Sequence, residues 1–167
     1  MDTLEAIQKR RSVRKYTGAP ISRADIEKIL DAARMAPSGY NQQPWHFIVV
    51  TDRGVIQDHS KIGIWSEKTS AIIAVVMDPS SDFWVEDGSA AIENMLLAAT
   101  ALGYGSCWLQ GSTQPHDEML RQLLNIPGHL NLLSLVSIGV PAHWPQARNK
   151  KPLEAVVHWE TFKKIDH

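Results

Sequence analysis

The chain has 167 residues, 44% of them apolar and 21% charged, with 17 Lys and Arg against 18 Asp and Glu for a formal net charge of −1. This length suits one globular domain, residues 1–167, with a real core, and the charge balance excludes a nucleic-acid binder that works by bulk positive charge, though not a local basic pocket. A single cysteine, Cys107, excludes an intrachain disulfide and fits a reducing cytoplasm; Met1 to Arg14 is too charged for a signal peptide, and no apolar run approaches a membrane span.

Asp2-Thr3-Leu4-Glu5 has the form of a capping box, with Asp2 as N-cap and Glu5 reaching back, and predicts a short helix to about Lys9. Five cations follow closely: Lys9, Arg10, Arg11, Arg14 and Lys15. The helix dipole accounts for one or two of them. Five mutually repelling charges are relieved by a dianionic group, and Arg forks suit phosphate. Phosphate or flavin-edge binding and a solvated patch are the two readings of this segment. After the turn Gly18-Ala19-Pro20, Ser22 caps a second helix with an apolar stripe of Ile26, Ile29, Leu30 and Ala33.

That helix runs to about Met35 and delivers the chain to a loop, Ala36 to Trp45. The loop holds two prolines, a glycine, three carboxamides, a Tyr and a Trp. Pro37 ends the helix, the prolines stiffen the backbone, and each carboxamide offers both a donor and an acceptor. Such a loop suits a planar heterocycle with hydrogen-bonding edges; an ordinary ordered loop capped by a buried Trp is the alternative. Trp45 to Val50 reads as a buried strand, residues 54–62 as a short helix, and the Trp65 region has no clear pattern. Ala71 to Met77 is the clearest strand.

Val85 to Leu102 predicts a long helix, apolar on much of its circumference, and therefore central to a core or at a subunit interface. Gly103 is its left-handed cap. A short strand at 107–109, a helix over 113–124 and a strand over Leu132 to Val140 follow. Leu153 to Trp159 resumes an apolar pattern like an edge strand or a swapped arm. Helices alternating with three or four strands give an α+β or α/β sandwich. The extended terminal segments suggest a dimer.

Several other chemistries are set aside. Gly103-Tyr104-Gly105 follows a helix, whereas a dinucleotide fingerprint follows a strand. No two of the seven histidines are spaced i, i+4 as metal ligands, and His46 reads as a strand residue. Cys107 reads as a small buried residue rather than a nucleophile, and Ser12 and Ser38 lack a nucleophile elbow. Glu93 is either a buried carboxylate near an interface or a surface residue. Lys163-Lys164 reads as a solvated tail.

Four segments taken in register carry a resemblance. They are Arg10-Arg11-Ser12-Val13-Arg14, the loop Ala36 to Trp45, the run Ala91 to Ala99 leading into Leu102-Gly103-Tyr104-Gly105-Ser106-Cys107-Trp108, and Lys150-Lys151-Pro152-Leu153-Glu154. In this order and spacing the chain resembles the nitroreductase family of FMN-dependent oxidoreductases over nearly its whole length. The resemblance implies an α+β fold, a three-layer α/β/α sandwich with a mixed, mainly antiparallel sheet, in an intertwined homodimer with FMN at the interface. It implies tightly bound, non-covalent FMN, NAD(P)H as transient donor, and a small-molecule acceptor such as a nitroaromatic or quinone reached by a ping-pong cycle. No nucleic acid, membrane or metal is expected as a partner.

By the same resemblance, Arg10, Arg11 and Ser12 match the segment that holds the phosphate and ribityl chain, and Arg14 the basic position beside the flavin pyrimidine ring. Pro37, Ser38, Tyr40, Asn41 and Gln42 match the loop that packs on the flavin from the partner subunit. Cys107, Trp108 and Leu109 match backbone-contact positions near the ring, and Arg148 or Lys150 the basic tail that returns to the phosphate. No protein nucleophile or general base is implied, because the cofactor carries the chemistry. The stretch Thr51 to Asp87 is shorter than in larger family members, which leaves Trp65, Phe83 and Trp84 as candidates to line the acceptor side. A flavin-binding module without turnover, or a relative with unusual chemistry such as reductive dehalogenation or flavin fragmentation, are the alternative functions.

Overall fold

The computed structural model describes residues 1–60 and 68–162. Ten regular elements follow one another: α1 (Thr3–Lys9), α2 (Arg23–Arg34), β1 (Trp45–Val50), α3 (Arg53–Ser60), β2 (Ala71–Met77), α4 (Trp84–Ala101), β3 (Gly105–Trp108), α5 (Gln110–Thr113), α6 (Asp117–Leu123) and β4 (Asn131–Gly139). The strands form one sheet in the order β1-β2-β4-β3, every ladder antiparallel. One isolated parallel bridge, Ser12 with Ser106, adds the N-terminal segment to the β3 edge.

The sheet lies between two apolar layers. Ile73, Val75 and Met77 of β2 face Ile29 and Ala33 of α2 and Ala91, Ile92 and Met95 of α4. The alternate residues Ile72, Ala74 and Val76 face Ile56 of α3 and Leu120 of α6. Strand β4 changes parity partway. Val75 pairs with Ser134 but Val76 pairs with Leu132, so Leu133 is the extra residue of a bulge. Leu133, Val136 and Ile138 consequently reach the α4 side, and Leu132 and Leu135 the other. The α/β/α sandwich is as expected.

Helix α4 is the central element of the first layer. Its buried residues, Asp87, Gly88, Ala91, Ile92, Met95, Leu96, Ala99 and Thr100, include residues from every turn. Two side-chain bonds tie it antiparallel to α2. Asn94 Nδ2 donates to the Ala32 carbonyl at 3.0 Å near one end, and the Tyr104 hydroxyl donates to Asp25 Oδ2 at 2.8 Å near the other. Gly103, at φ 84°, takes the expected left-handed cap.

Several expectations change in detail. Asp2 and Ser22 cap α1 and α2 as expected, but Glu5 turns chiefly to Lys9, with an Oε1–Nζ distance of 2.6 Å. Strand β1 is half-buried, because it is an edge strand whose residues pack towards both layers. The helix expected over 113–124 is broken into α5, a 3₁₀ turn at Gln114–His116, and α6. Pro115 has no N–H to continue the α5 ladder. Thr113 Oγ1 donates to the Leu109 carbonyl at 2.8 Å and accepts from Leu135 N at 3.3 Å, which turns it to β4. Leu153 to Trp159 is no strand: a 3₁₀ turn at Leu153–Ala155 leads into irregular chain. The Trp65 region and Lys163-Lys164 lie outside the described residues. Among the described residues, no helix is long and apolar enough to cross a membrane.

Asp25 links fold to pH. Hydrogen bonds from Lys28, Tyr104 and Ser22 lower its carboxyl from the ordinary 3.8 to about 2. A carboxylate depressed in the folded state stabilises the fold above its unfolded pKa, and that contribution is lost as pH falls through the folded value. Tyr104→Phe removes one of the three bonds and raises the folded pKa. Urea unfolding at pH 4 and pH 2 is expected to show a smaller acid-induced loss of stability in Tyr104→Phe than in the wild type. An equal loss in both would contradict the link.

Candidate functional site

The cationic segment leaves the C-terminus of α1 in extended chain and is fixed at two buried positions. Val13 is buried, and its N–H donates to the Ser106 carbonyl at 2.8 Å. Tyr16 is buried too; its hydroxyl donates to the Val13 carbonyl at 2.7 Å and lies 2.8 Å from Ser137 Oγ. Burial pushes that hydroxyl well above the usual tyrosine range, so it stays neutral. Gly105 lets this chain come close, since a Cβ there would stand 2.7 Å from Val13 Cγ1. The buried pair Val13 and Tyr16 leaves Ser12 and Arg14 turned outward.

Arg10 and Arg14 lie close enough to β3 for their charges to act on the Cys107 thiol. Arg10 Nε lies 3.3 Å from Glu93 Oε1 on α4, which settles the Glu93 alternatives in favour of a half-exposed counter-ion. Arg11 donates to the Gln8 and Arg10 carbonyls, and Arg14 reaches the Ser12 carbonyl at 3.4 Å. Among the described residues, neither Arg11 nor Arg14 has a carboxylate partner. Under them lie two buried groups of β3. Ser106 Oγ has no hydrogen-bond partner. Burial pushes the Cys107 thiol up, while Arg14, Arg10 and a hydrogen bond with Ser12 pull the other way without reversing it. Trp108 is half-buried with its indole N–H on Gln110 Oε1 at 3.2 Å, and Leu109 N donates to the Leu135 carbonyl.

The loop Ala36 to Trp45 sits elsewhere, at the first turn of α4. Tyr40, Asn41 and Gln43 all have positive φ, 52°, 57° and 51°. Left-handed backbone at non-glycine residues costs about 1–2 kcal/mol each, less for Asn, so the loop stores strain. Bonds inside the loop partly offset it: Gln43 N donates to Ser38 Oγ, Asn41 N to the Ser38 carbonyl and Gln42 N to the Gly39 carbonyl, each at 3.0 Å. Gly39 donates to Asp87 Oδ1 at 3.0 Å, and a Cβ on it would stand 2.3 Å from the Phe83 ring. Pro37 is exposed and Ser38 half-buried, while Tyr40, 89% exposed, and Asn41 and Gln42 point outward.

The structure thus brings Arg10, Ser12, Arg14 and Cys107 together, with Trp108 next along β3 and Leu109 just past its end, while Arg11 is held by the Gln8 and Arg10 carbonyls. No hydrogen bond or ion pair among the described residues joins this group to Pro37, Ser38, Tyr40, Asn41 or Gln42. The loop is anchored at Asp87 and Arg10 at Glu93. Six residues on an α-helix separate these anchors by about 9 Å along the axis and about 120° around it. Arg148 and Lys150 are exposed, on irregular chain, and have no bonded partner among the described residues. Of the acceptor-side candidates, Phe83 meets the loop, with its ring 6.3 Å from that of Tyr40, whereas Trp84 packs on the core. Sequence reasoning missed Asp87. Its signal was an Asp-Gly pair opening a long apolar helix, which reads equally well as an acidic first turn. Among the described residues, no three His, Cys, Asp or Glu converge as a metal site.

The comparisons with known proteins agree with one another. The model of the nitroreductase family matches residues 7–86 and 70–140. A protein of Archaeoglobus fulgidus, provisionally named an NADH dehydrogenase/NAD(P)H nitroreductase, is 47% identical over 84% of this chain and 86% of its own. The solved structure of an FMN-dependent nitroreductase from Clostridium difficile R20291 has a TM-score of 0.85 at 30% identity, covering 95% of this chain and 99% of that one. A provisionally named nitroreductase from Desulfovibrio desulfuricans, solved in complex with FMN, has a TM-score of 0.83 at 31% identity, covering 98% and 99%.

The burial of Cys107 has a direct test. Ellman's reagent at pH 8 is expected to leave the native thiol unmodified over minutes and to find one thiol per chain in guanidinium chloride. Rapid modification of the folded protein would contradict this placement.

Proposed function

The chain belongs to the nitroreductase family, and from that premise we propose that it is an FMN-dependent NAD(P)H oxidoreductase acting on a small oxidised acceptor, a nitroaromatic or quinone, by a ping-pong cycle. The observation that carries the reading is the cationic segment beside β3: Arg10, Arg11 and Arg14 lie within one short stretch, and among the described residues Glu93, on Arg10, is their one carboxylate partner. The donor set fits FMN. Its phosphate is a dianion that relieves the repulsion and takes charge-assisted bonds from Arg10, Arg11 and Ser12. A guanidinium has five donors, so a partner on Arg10 Nε leaves the terminal nitrogens for a second anion. Arg148 or Lys150 would add to the same end.

FMN, when bound, would supply the redox chemistry, taking a hydride from NAD(P)H and passing it to the acceptor. The chain's part is binding, orientation and electrostatics. Arg14, held between the buried Val13 and Tyr16, would stabilise negative charge on the pyrimidine edge of the reduced ring. The backbone of Cys107, Trp108 and Leu109 runs beside it. Pro37, Ser38, Tyr40, Asn41 and Gln42 would come from a second copy of the chain. The tail supports that second copy: Leu153, Val156, Trp159 and Phe162 are 73%, 54%, 71% and 80% exposed. Covering each such side chain is worth about 1.5–3 kcal/mol. The proposed unit is a homodimer of single-domain chains in the cytoplasm.

The visible spectrum of the purified protein tests the reading. A flavin spectrum that bleaches under NADH or NADPH without oxygen is the expected result. A flavin that stays oxidised would favour a binding module without turnover, and no flavin, with none taken up on adding FMN, would refute the proposal. Arg11→Ala and Arg14→Ala are each expected to weaken FMN binding by about 10- to 100-fold, the worth of a hydrogen bond to a charged group. The exposed Arg23→Ala should leave it unchanged. Equal flavin content in all three after dialysis would remove the site assignment.

A further inference from the structure

We propose that Asp87 is the positioning residue that sets the conformation of the Ala36 to Trp45 loop. The loop adopts left-handed backbone at Tyr40, Asn41 and Gln43. Such backbone persists only where its surroundings over-determine it. The bonds from Gln43, Asn41 and Gln42 to Ser38 and Gly39 lie within the loop and move with it. From outside, Asp78 N donates to the Pro44 carbonyl at 2.8 Å, which extends the β1–β2 pairing and fixes the strand end. Among the described residues, the one side chain outside the loop that hydrogen-bonds it is Asp87, through the Gly39 N–H.

The manner of burial points the same way. Asp87 is 5% exposed, and its Oδ2 is buried without a hydrogen-bond partner. A carboxyl group that leaves one oxygen unsatisfied is a costly choice for stability alone. Its return is a strong acceptor aimed at one loop amide from a rigid helix. Phe83 closes on Gly39 from the side its missing Cβ would occupy, so residues 83 and 87, one helical turn apart, grip the same glycine. This grip aims Tyr40, Asn41 and Gln42 outward.

For its functional consequence the inference rests on the FMN reading above. If those side chains meet the flavin, releasing the loop lowers the binding-competent fraction and raises the apparent Kd in proportion. Asp87→Leu keeps the side-chain shape without an acceptor, and Asp87→Asn keeps an acceptor for Gly39. Two readouts on the full chain decide: amide hydrogen exchange at residues 38–43 in the flavin-free protein, and FMN affinity by fluorescence quenching. In Asp87→Leu we expect exchange to rise about tenfold in the loop only, FMN affinity to fall about tenfold or more, and Tm to stay within about 5 °C, as for a single lost hydrogen bond. Asp87→Asn should recover both readouts to within about threefold, less than half the tenfold loss on a free-energy scale. Unchanged loop exchange in Asp87→Leu, loss of protection across the whole chain, failure to fold, or an Asn variant as poor as Leu would each overturn the positioning role. Wild-type protein that binds no FMN would refute the flavin reading, while loop exchange would still judge Asp87.

Discussion

A helix whose every turn carries apolar side chains has to be covered along its length, and much of this molecule is arranged to meet that requirement for α4. The sheet covers one side through Met77, Leu133 and Val136, and α2 covers another through Ile29 and Ala33. Gly88 shows how close the contact is: a Cβ there would stand 2.4 Å from Leu133 and 2.9 Å from the Met77 sulfur. An element packed on both the sheet and a second helix is a firm reference in the fold, because shifting it disturbs both contacts at once. Its polar side chains are therefore well suited to hold other segments in place. Asp87 holds the loop, Glu93 holds Arg10 and Asn94 holds the end of α2.

The two candidate binding segments are built on opposite principles. The cationic segment is extended chain, unstrained, fixed by buried anchors at Val13 and Tyr16 and left free at the positions between. Its repulsion is stored as electrostatic energy that an anion relieves. The loop carries little charge and stores its energy in backbone torsion instead. A partner for the first is recognised by charge and for the second by shape and hydrogen-bonding edge. A molecule with a phosphate at one end and a planar heterocycle at the other matches both.

Much of this was legible in the sequence because it follows from local rules. Ser22 and Asp2 cap as their side chains dictate, Gly103 takes the left-handed position only glycine occupies freely, and Ala71 to Met77 is too apolar for any place but the middle of a sheet. What was not legible depends on partners distant in sequence. Glu5 could cap or pair, and the presence of Lys9 one turn away decided it. Trp45 to Val50 looks like a central strand because its edge position is set by topology, and its outer residues still pack on both layers. Thr113 leaves the helical pattern for an amide on β4, 22 residues on. Asp87 is the sharpest case, since its role exists only through Gly39, 48 residues before it.

The separation of the loop from the cations follows from α4 as well. Both segments are fastened to the same rigid helix, on anchors about 120° apart around its axis. On the proposed reading, a ligand that needs both segments draws them from two copies of the chain. The apolar tail beyond Pro152 makes a second copy physically reasonable, because Leu153, Val156, Trp159 and Phe162 are largely exposed. On the proposed reading, association and cofactor binding become one linked equilibrium: each chain offers half of two sites, FMN stabilises the pair, and the pair completes the site. On the same reading, a wall of the site would come from the Tyr40 loop of the second copy and the Phe83 ring packed against it.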